Sequence, residues 1–146
     1  MGITHRRSLI RMSDHHWLVR DDLLSTRAQT QPTNICINWL LQDWDWEINA
    51  NTLRQTSPQG IIELYISQSP LSSSNHSGTP QYNPPILLDK QIVRCGKILH
   101  GKVDPIPAFL GWHSPTYGRK LPAIAFRVSF QGNMPFSIFS EWTFSR

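Results

Sequence analysis

The chain has 146 residues, 39% of them apolar, and a formal net charge of +4. That length is enough for one domain with its own core, and no run of about 18 apolar residues exists, so no membrane-spanning helix is expected. The basic residues are scattered, with only Arg6-Arg7 and Arg119-Lys120 adjacent, which argues against a nucleic-acid binder, where Lys and Arg cluster densely.

Taken in order, Met1 to Arg7 carries charge, but Arg11, Asp14, His15 and His16 interrupt any apolar stretch behind it, so no signal peptide is expected. Ser8 to Met12 and Trp17 to Val19 are strand candidates around a turn at Ser13 to His16. Ser25 to Thr33 is polar and contains Pro32, so it reads as a loop. From Ile35 to Leu41 both alternating sets are largely apolar, which predicts a central strand. Trp44, Trp46 and Ile48 alternate with Asp43, Asp45 and Glu47; Asn49-Ala50-Asn51 is a turn, and Thr52 to Arg54 returns.

Ile61 to Ser67 is another strand, with Ile62, Leu64 and Ile66 on one face. Gln68 to Pro85 is rich in Ser, Pro and Asn without periodicity and predicts an exposed loop. Ile86 to Cys95 predicts one or two short strands, and Gly96 to Phe109 is broken by Gly101, Pro105 and Pro107. Ile124, Phe126, Val128 and Phe130 alternate with Ala125, Arg127 and Ser129. Phe136, Ile138, Trp142 and Phe144 continue one apolar face beyond a turn at Gln131 to Pro135, so a long antiparallel hairpin is expected here. No stretch has helical periodicity. The prediction is an all-β chain, a single antiparallel two-layer β-sandwich domain over residues 1–146. Its expected core holds Ile35, Ile37, Trp39, Ile62, Leu64, Ile124, Phe126, Val128, Phe136, Ile138 and Trp142.

Three segments carry a family resemblance. His5-Arg6-Arg7 is followed by Trp17-Leu18-Val19-Arg20-Asp21-Asp22-Leu23. Next comes Asn38-Trp39-Leu40-Leu41-Gln42-Asp43-Trp44-Asp45-Trp46-Glu47. Last, Gly111-Trp112-His113-Ser114-Pro115-Thr116-Tyr117-Gly118 leads to Leu121-Pro122-Ala123 and a strand ending Ser140-Glu141-Trp142. In type and order these resemble the C-terminal β-domain of heparinase II/III-like polysaccharide lyases, although Asn38 stands where a His is common. The resemblance implies a β-sandwich that follows an α/α toroid, and β-elimination on acidic polysaccharides such as heparin, heparan sulfate or alginate. It implies relatives that act in the periplasm or outside the cell.

The toroid of such lyases supplies most of the catalytic Tyr and His, and an H-x-H-like stretch early in the β-domain supplies metal ligands. Neither has a counterpart in this sequence, so no catalytic, metal or cofactor residue carries over. The expectation is a β-domain whose catalytic toroid is missing from the chain, a split product partnered by a separately encoded toroid or else a truncated one, inactive by itself; the alternative is a stand-alone carbohydrate-binding or scaffold domain.

The residues offer some chemistry of their own. His113, Tyr117 and Arg119 are the right types for a hydrogen-bonding acid or base and a uronate-neutralising cation, so they are candidates for substrate contact; packing and turn formation would equally account for them. From Ile86 onward, eight basic residues face Asp89, Asp104 and Glu141, a bias that suits a polyanion or an ordinary solvated surface. Asp14, His15, His16, Asp21 and Asp22 could suggest a metal cluster, but neighbours on a strand point to opposite faces, which favours a surface turn. Trp44 and Trp46 could stack on sugars or pack inward. Cys36 and Cys95 could bridge two strands or remain buried free thiols.

Overall fold

The computed structural model describes residues 2–26, 31–68, 86–103 and 105–146. Its strands are β1 (Ile3–Ser13), β2 (His16–Ser25), β3 (Thr33–Leu41), β4 (Asp45–Asn49), β5 (Thr52–Ser57), β6 (Gly60–Ser67), β7 (Ile86–Arg94), β8 (Lys97–His100), β9 (Trp112–His113), β10 (Leu121–Pro122), β11 (Ile124–Gly132) and β12 (Phe136–Ser145). The chain is all-β with antiparallel sheets, as the alternation predicts. No helix among the described residues is long and apolar enough to cross a membrane. The expected loop at 68–85 lies, apart from Gln68, outside the described residues.

Two compact units are present. One holds the described residues of 2–33, 45–68 and 132–146 and contains a six-stranded sheet in the order β1-β2-β12-β6-β5-β4. The registers Ile138↔Asp21, Trp142↔Leu64 and Leu53↔Leu64 place alternate residues on common faces. One face carries Val19, Leu23, Leu53, Leu64, Ile66, Phe136 and Ile138, all buried. The opposite face is mixed: it carries Arg6, Arg20, Asp22, Ser137 and Glu141 together with Leu18, Tyr65 and Phe139. Trp46 and Ile48 share the face of Leu53, through the pairs Trp46↔Gln55 and Ile48↔Leu53, whereas Asp45 and Glu47 are exposed. Trp46 is thus half-buried on the face that carries the core.

The other unit holds Asn34–Trp44 and residues 86–131, with a four-stranded sheet in the order β3-β11-β7-β8 and the short β9-β10 ladder. Ile124, Phe126, Val128 and Phe130 share one face and are each at most 1% exposed. Ile92, paired with Phe126, joins them. Arg94 grips Asp43 with two hydrogen bonds of 2.6 Å, from Nε to Oδ1 and from Nη2 to Oδ2.

Two expectations fail. β11 and β12 do not form a hairpin: β12 pairs with β2 and β6, and β11 with β3 and β7. A strand has only two edges, and both edges of each are taken by other partners; alternation specifies a face, not a neighbour. Likewise β3 is an edge strand rather than a central one. Its Cys36, Asn38 and Leu40 are exposed, so its second face is not buried despite its apolar content. Cys36 and Cys95 are both free, and neither is fully buried.

Of the expected core, Ile37, Leu64, Ile124, Phe126, Val128, Phe136 and Ile138 are buried, while Ile35, Trp39, Ile62 and Trp142 are half-buried.

Candidate functional site

The Gly111–Ala123 excursion is built on backbone chemistry. Gly111 has φ +71°, and its carbonyl accepts hydrogen bonds from the amides of Cys95 (2.9 Å) and Ala123 (3.0 Å). A Cβ at this position would come within 2.6 Å of Arg94 Cα and the Val93 carbonyl, so only glycine fits. The pairs Leu121↔His113 and Pro122↔Trp112 then close the ladder. Within the turn, the Ser114 hydroxyl reaches the carbonyls of Thr116 (3.0 Å) and Arg119 (2.7 Å), and the Arg119 amide donates to the Thr116 carbonyl (3.2 Å).

This local order creates a cleft of about 360 Å3 lined by Phe109, Trp112, His113, Ser114, Gly118, Arg119 and Lys120. Lys120 Nζ stands 4.2 Å from the centroid of the Trp112 ring, well inside the range of a cation–π contact. His113 is half-buried, and Phe109 is exposed. Among the described residues the lining includes Arg119 and Lys120 but no carboxylate. An apolar aromatic surface beside cations is suited to an anionic ring with an apolar face.

Of the three residues singled out from sequence, the structure brings His113 and Arg119 into this cleft and leaves Tyr117 out. Tyr117 is fully exposed at the tip of the turn. Lys120, Trp112 and Phe109 complete the lining. The Lys–Trp contact has no signal in the sequence, because it depends on the register of the short ladder, which only the fold supplies.

The Asp- and His-rich region around β1 and β2 is committed to structure. Asp21 shares the buried face of its sheet and is met by Arg7 Nε (2.7 Å) and His5 Nε2 (2.7 Å). Asp22, on the other face, receives Arg6 on Oδ2 (3.0 and 2.7 Å), with Arg20 Nε (2.6 Å) and the Ser137 hydroxyl (2.6 Å) on Oδ1. Burial pushes the Asp22 carboxyl up, but the hydrogen bonds from Ser137, Arg6 and Arg20 outweigh it and hold the pKa at about 2. His16 Nε2 lies 3.3 Å from Glu141 Oε2, Asp14 pairs with Arg11, and His15 is exposed. Among the described residues no group of three or more His, Cys, Asp or Glu side chains is gathered as metal ligands would be.

No protein-family model, curated protein or solved structure matches the chain.

Proposed function

We propose that the chain is the C-terminal β-domain of a heparinase II/III-like polysaccharide lyase and that it holds acidic polysaccharide in the Trp112 cleft. The carrying observation is Lys120 Nζ over the Trp112 ring, with Arg119 and His113 in the same lining and no carboxylate among its described residues. A pyranose can lie its apolar face on the indole while its carboxylate or sulfate meets the cations. The three motif segments that resemble such lyases support the same reading.

β-Elimination needs a cation to neutralise the uronate, a base for the C5 proton and an acid for the leaving oxygen, all held against one sugar. Arg119 and Lys120 supply the first of these. Tyr117 stands outside the cleft, so the base and acid are assigned to the α/α toroid that the resemblance implies. Residues 1–146 by themselves are therefore expected to bind without cleaving.

Binding of labelled heparin and alginate, with neutral dextran as reference, tests this. Preference for the acidic polymers, lost in a Lys120→Met/Arg119→Gln double variant that still folds, is the expected result. Equal affinity for dextran, or no loss in the double variant, overturns it. Mixing the chain with a separately encoded toroid separates the lyase reading from a stand-alone binding domain. Ultraviolet-absorbing unsaturated uronate formed only in the mixture selects the lyase; none formed selects the binding domain.

A further inference from the structure

The four-stranded sheet carries a second cavity of about 340 Å3, which among the described residues shares no lining with the Trp112 cleft. The volume lies at the lower end of the roughly 300–1,000 Å3 usual for small-molecule sites. Its floor follows from the register. Arg127↔Gln91 and Ser129↔Asp89 place these four side chains on the face opposite Phe126 and Val128. Gln131 Nε2 donates to Asn34 Oδ1 at 3.0 Å and brings Asn34 of β3 to the same face.

The floor is held rigidly at one point. Gln91 is 5% exposed, and both ends of its amide are used. Nε2 donates to the Lys102 carbonyl at 2.8 Å, and Oε1 accepts from Arg127 Nη1 at 3.0 Å. Gln91 thus fixes the guanidinium at the cavity, and that bond uses only part of its donor capacity.

Beside it, Asp89 Oδ2 is buried and has no hydrogen-bond partner among the described residues. A buried carboxylate oxygen without a donor is costly, and native proteins rarely keep one without a reason. The cavity wall therefore offers a strong acceptor at Asp89 and strong donors at Arg127, with the Ser129 hydroxyl able to act as either. An anion placed here would meet the Asp89 carboxylate, and a simple cation would meet Arg127. A pair of neighbouring hydroxyls satisfies both, one donating to Asp89 Oδ2 and the other accepting from Arg127.

We propose that this cavity is a binding site for a neutral sugar unit, a pyranose ring that presents vicinal hydroxyls to Asp89 and Arg127. The site is independent of the Trp112 cleft, since the two share neither described lining residues nor ligand charge.

The test uses the full chain, labelled with 15N and titrated with the methyl glycosides of glucose, galactose, mannose and N-acetylglucosamine. At least one is expected to move the amide signals of Gln91, Arg127 and Ser129 saturably, and its deoxy analogue lacking one hydroxyl of the pair is expected to fail. Asp89→Asn keeps the side chain's shape and removes the charge behind one buried, unpartnered oxygen, and is expected to fold; it should weaken the sugar by about tenfold or more, as fits a hydrogen bond to a charged group. Ser129→Ala is the second variant should the first not fold, with a smaller loss expected. No shift with any glycoside, or shifts that survive in these variants, overturns the proposal and leaves the cavity as a hydrated gap. Heparin binding, followed at the Trp112 indole, reports on the other cleft and stands or falls separately.

Discussion

The Ser137 hydroxyl donates a 2.6 Å hydrogen bond to Asp22 Oδ1 across the pair Ser137↔Asp22, and so ties β12 to β2 through a buried carboxylate. With Arg6 on Oδ2 and Arg20 on Oδ1, that carboxylate is saturated, and its pKa falls from 3.8 to about 2. A folded-state pKa below the unfolded value means that the stabilisation is present above the unfolded pKa and lost as pH falls through the folded one. The drop corresponds to about 2 kcal/mol at neutral pH. Asp43, held low by the hydrogen bonds from Arg94, acts with the same sign. Asp22→Asn is therefore expected to destabilise the chain at neutral pH, by an amount that narrows as pH falls from about 4 to about 2. Urea denaturation across that range measures it; a deficit independent of pH would count against the account.

Phe126 is fully buried at the centre of β11, with Ile92 as its cross-strand partner. Truncation to Ala removes most of the ring's contacts from a face whose other members are also buried. Phe126→Ala is expected to cost about 3–5 kcal/mol, enough to unfold a chain of marginal stability. Chemical denaturation or loss of dispersed methyl signals would record it, and a cost below about 1 kcal/mol would mean that this face is not a core.

Gly111 couples the sheet to the cleft. Its left-handed φ and the close approach of Arg94 Cα and the Val93 carbonyl leave no room for a side chain. Gly111→Ala is expected to cost about 1–3 kcal/mol or more. It should also loosen Trp112, the next residue, before the rest of the sheet. By contrast, a Cβ on Gly118 meets nothing within 4 Å among the described residues, and Gly118→Ala carries only the smaller backbone penalty of its φ of +75°. Comparing the two by melting temperature and by the Trp112 indole signal separates steric from conformational cost.

The faces of the strands were legible because alternation reports directly on which side is wet. Ile124 through Phe130 show this, as do Leu64 and Ile138. Neighbours were not legible. The proximity of 124–130 to 136–144 suggests a hairpin, yet each strand satisfies its edges with partners far away in sequence, β3 and β7 for one and β2 and β6 for the other. The apolar run in β3 misled for a related reason: Leu40 is 51% exposed on an edge strand, which composition alone does not reveal. In the candidate cleft, residue types were legible but directions were not. Tyr117 has suitable chemistry, but the turn that Ser114 closes points it into solvent. Lys120 looked like ordinary surface charge until the Trp112/Pro122 register laid it on an indole.

That difference in direction yields the sharpest comparison. If acidic polysaccharide lies in the Trp112 cleft, the cations of its lining release counterions on binding, and affinity falls as salt rises. Lys120→Met keeps a long apolar stem beside Trp112 but removes the ammonium, and Arg119→Gln removes the guanidinium. Each is expected to weaken heparin binding and to flatten its dependence on salt. Trp112→Leu should weaken binding with less change in that dependence, because it removes the stacking surface and leaves the charges. Tyr117→Phe alters only an exposed hydroxyl outside the cleft and is expected to match the parent chain in both respects. Affinity measured over a series of salt concentrations for the four variants distinguishes these outcomes. A flattened slope in Tyr117→Phe, with none in Lys120→Met or Arg119→Gln, would move the binding surface from the cleft to the tip of the turn.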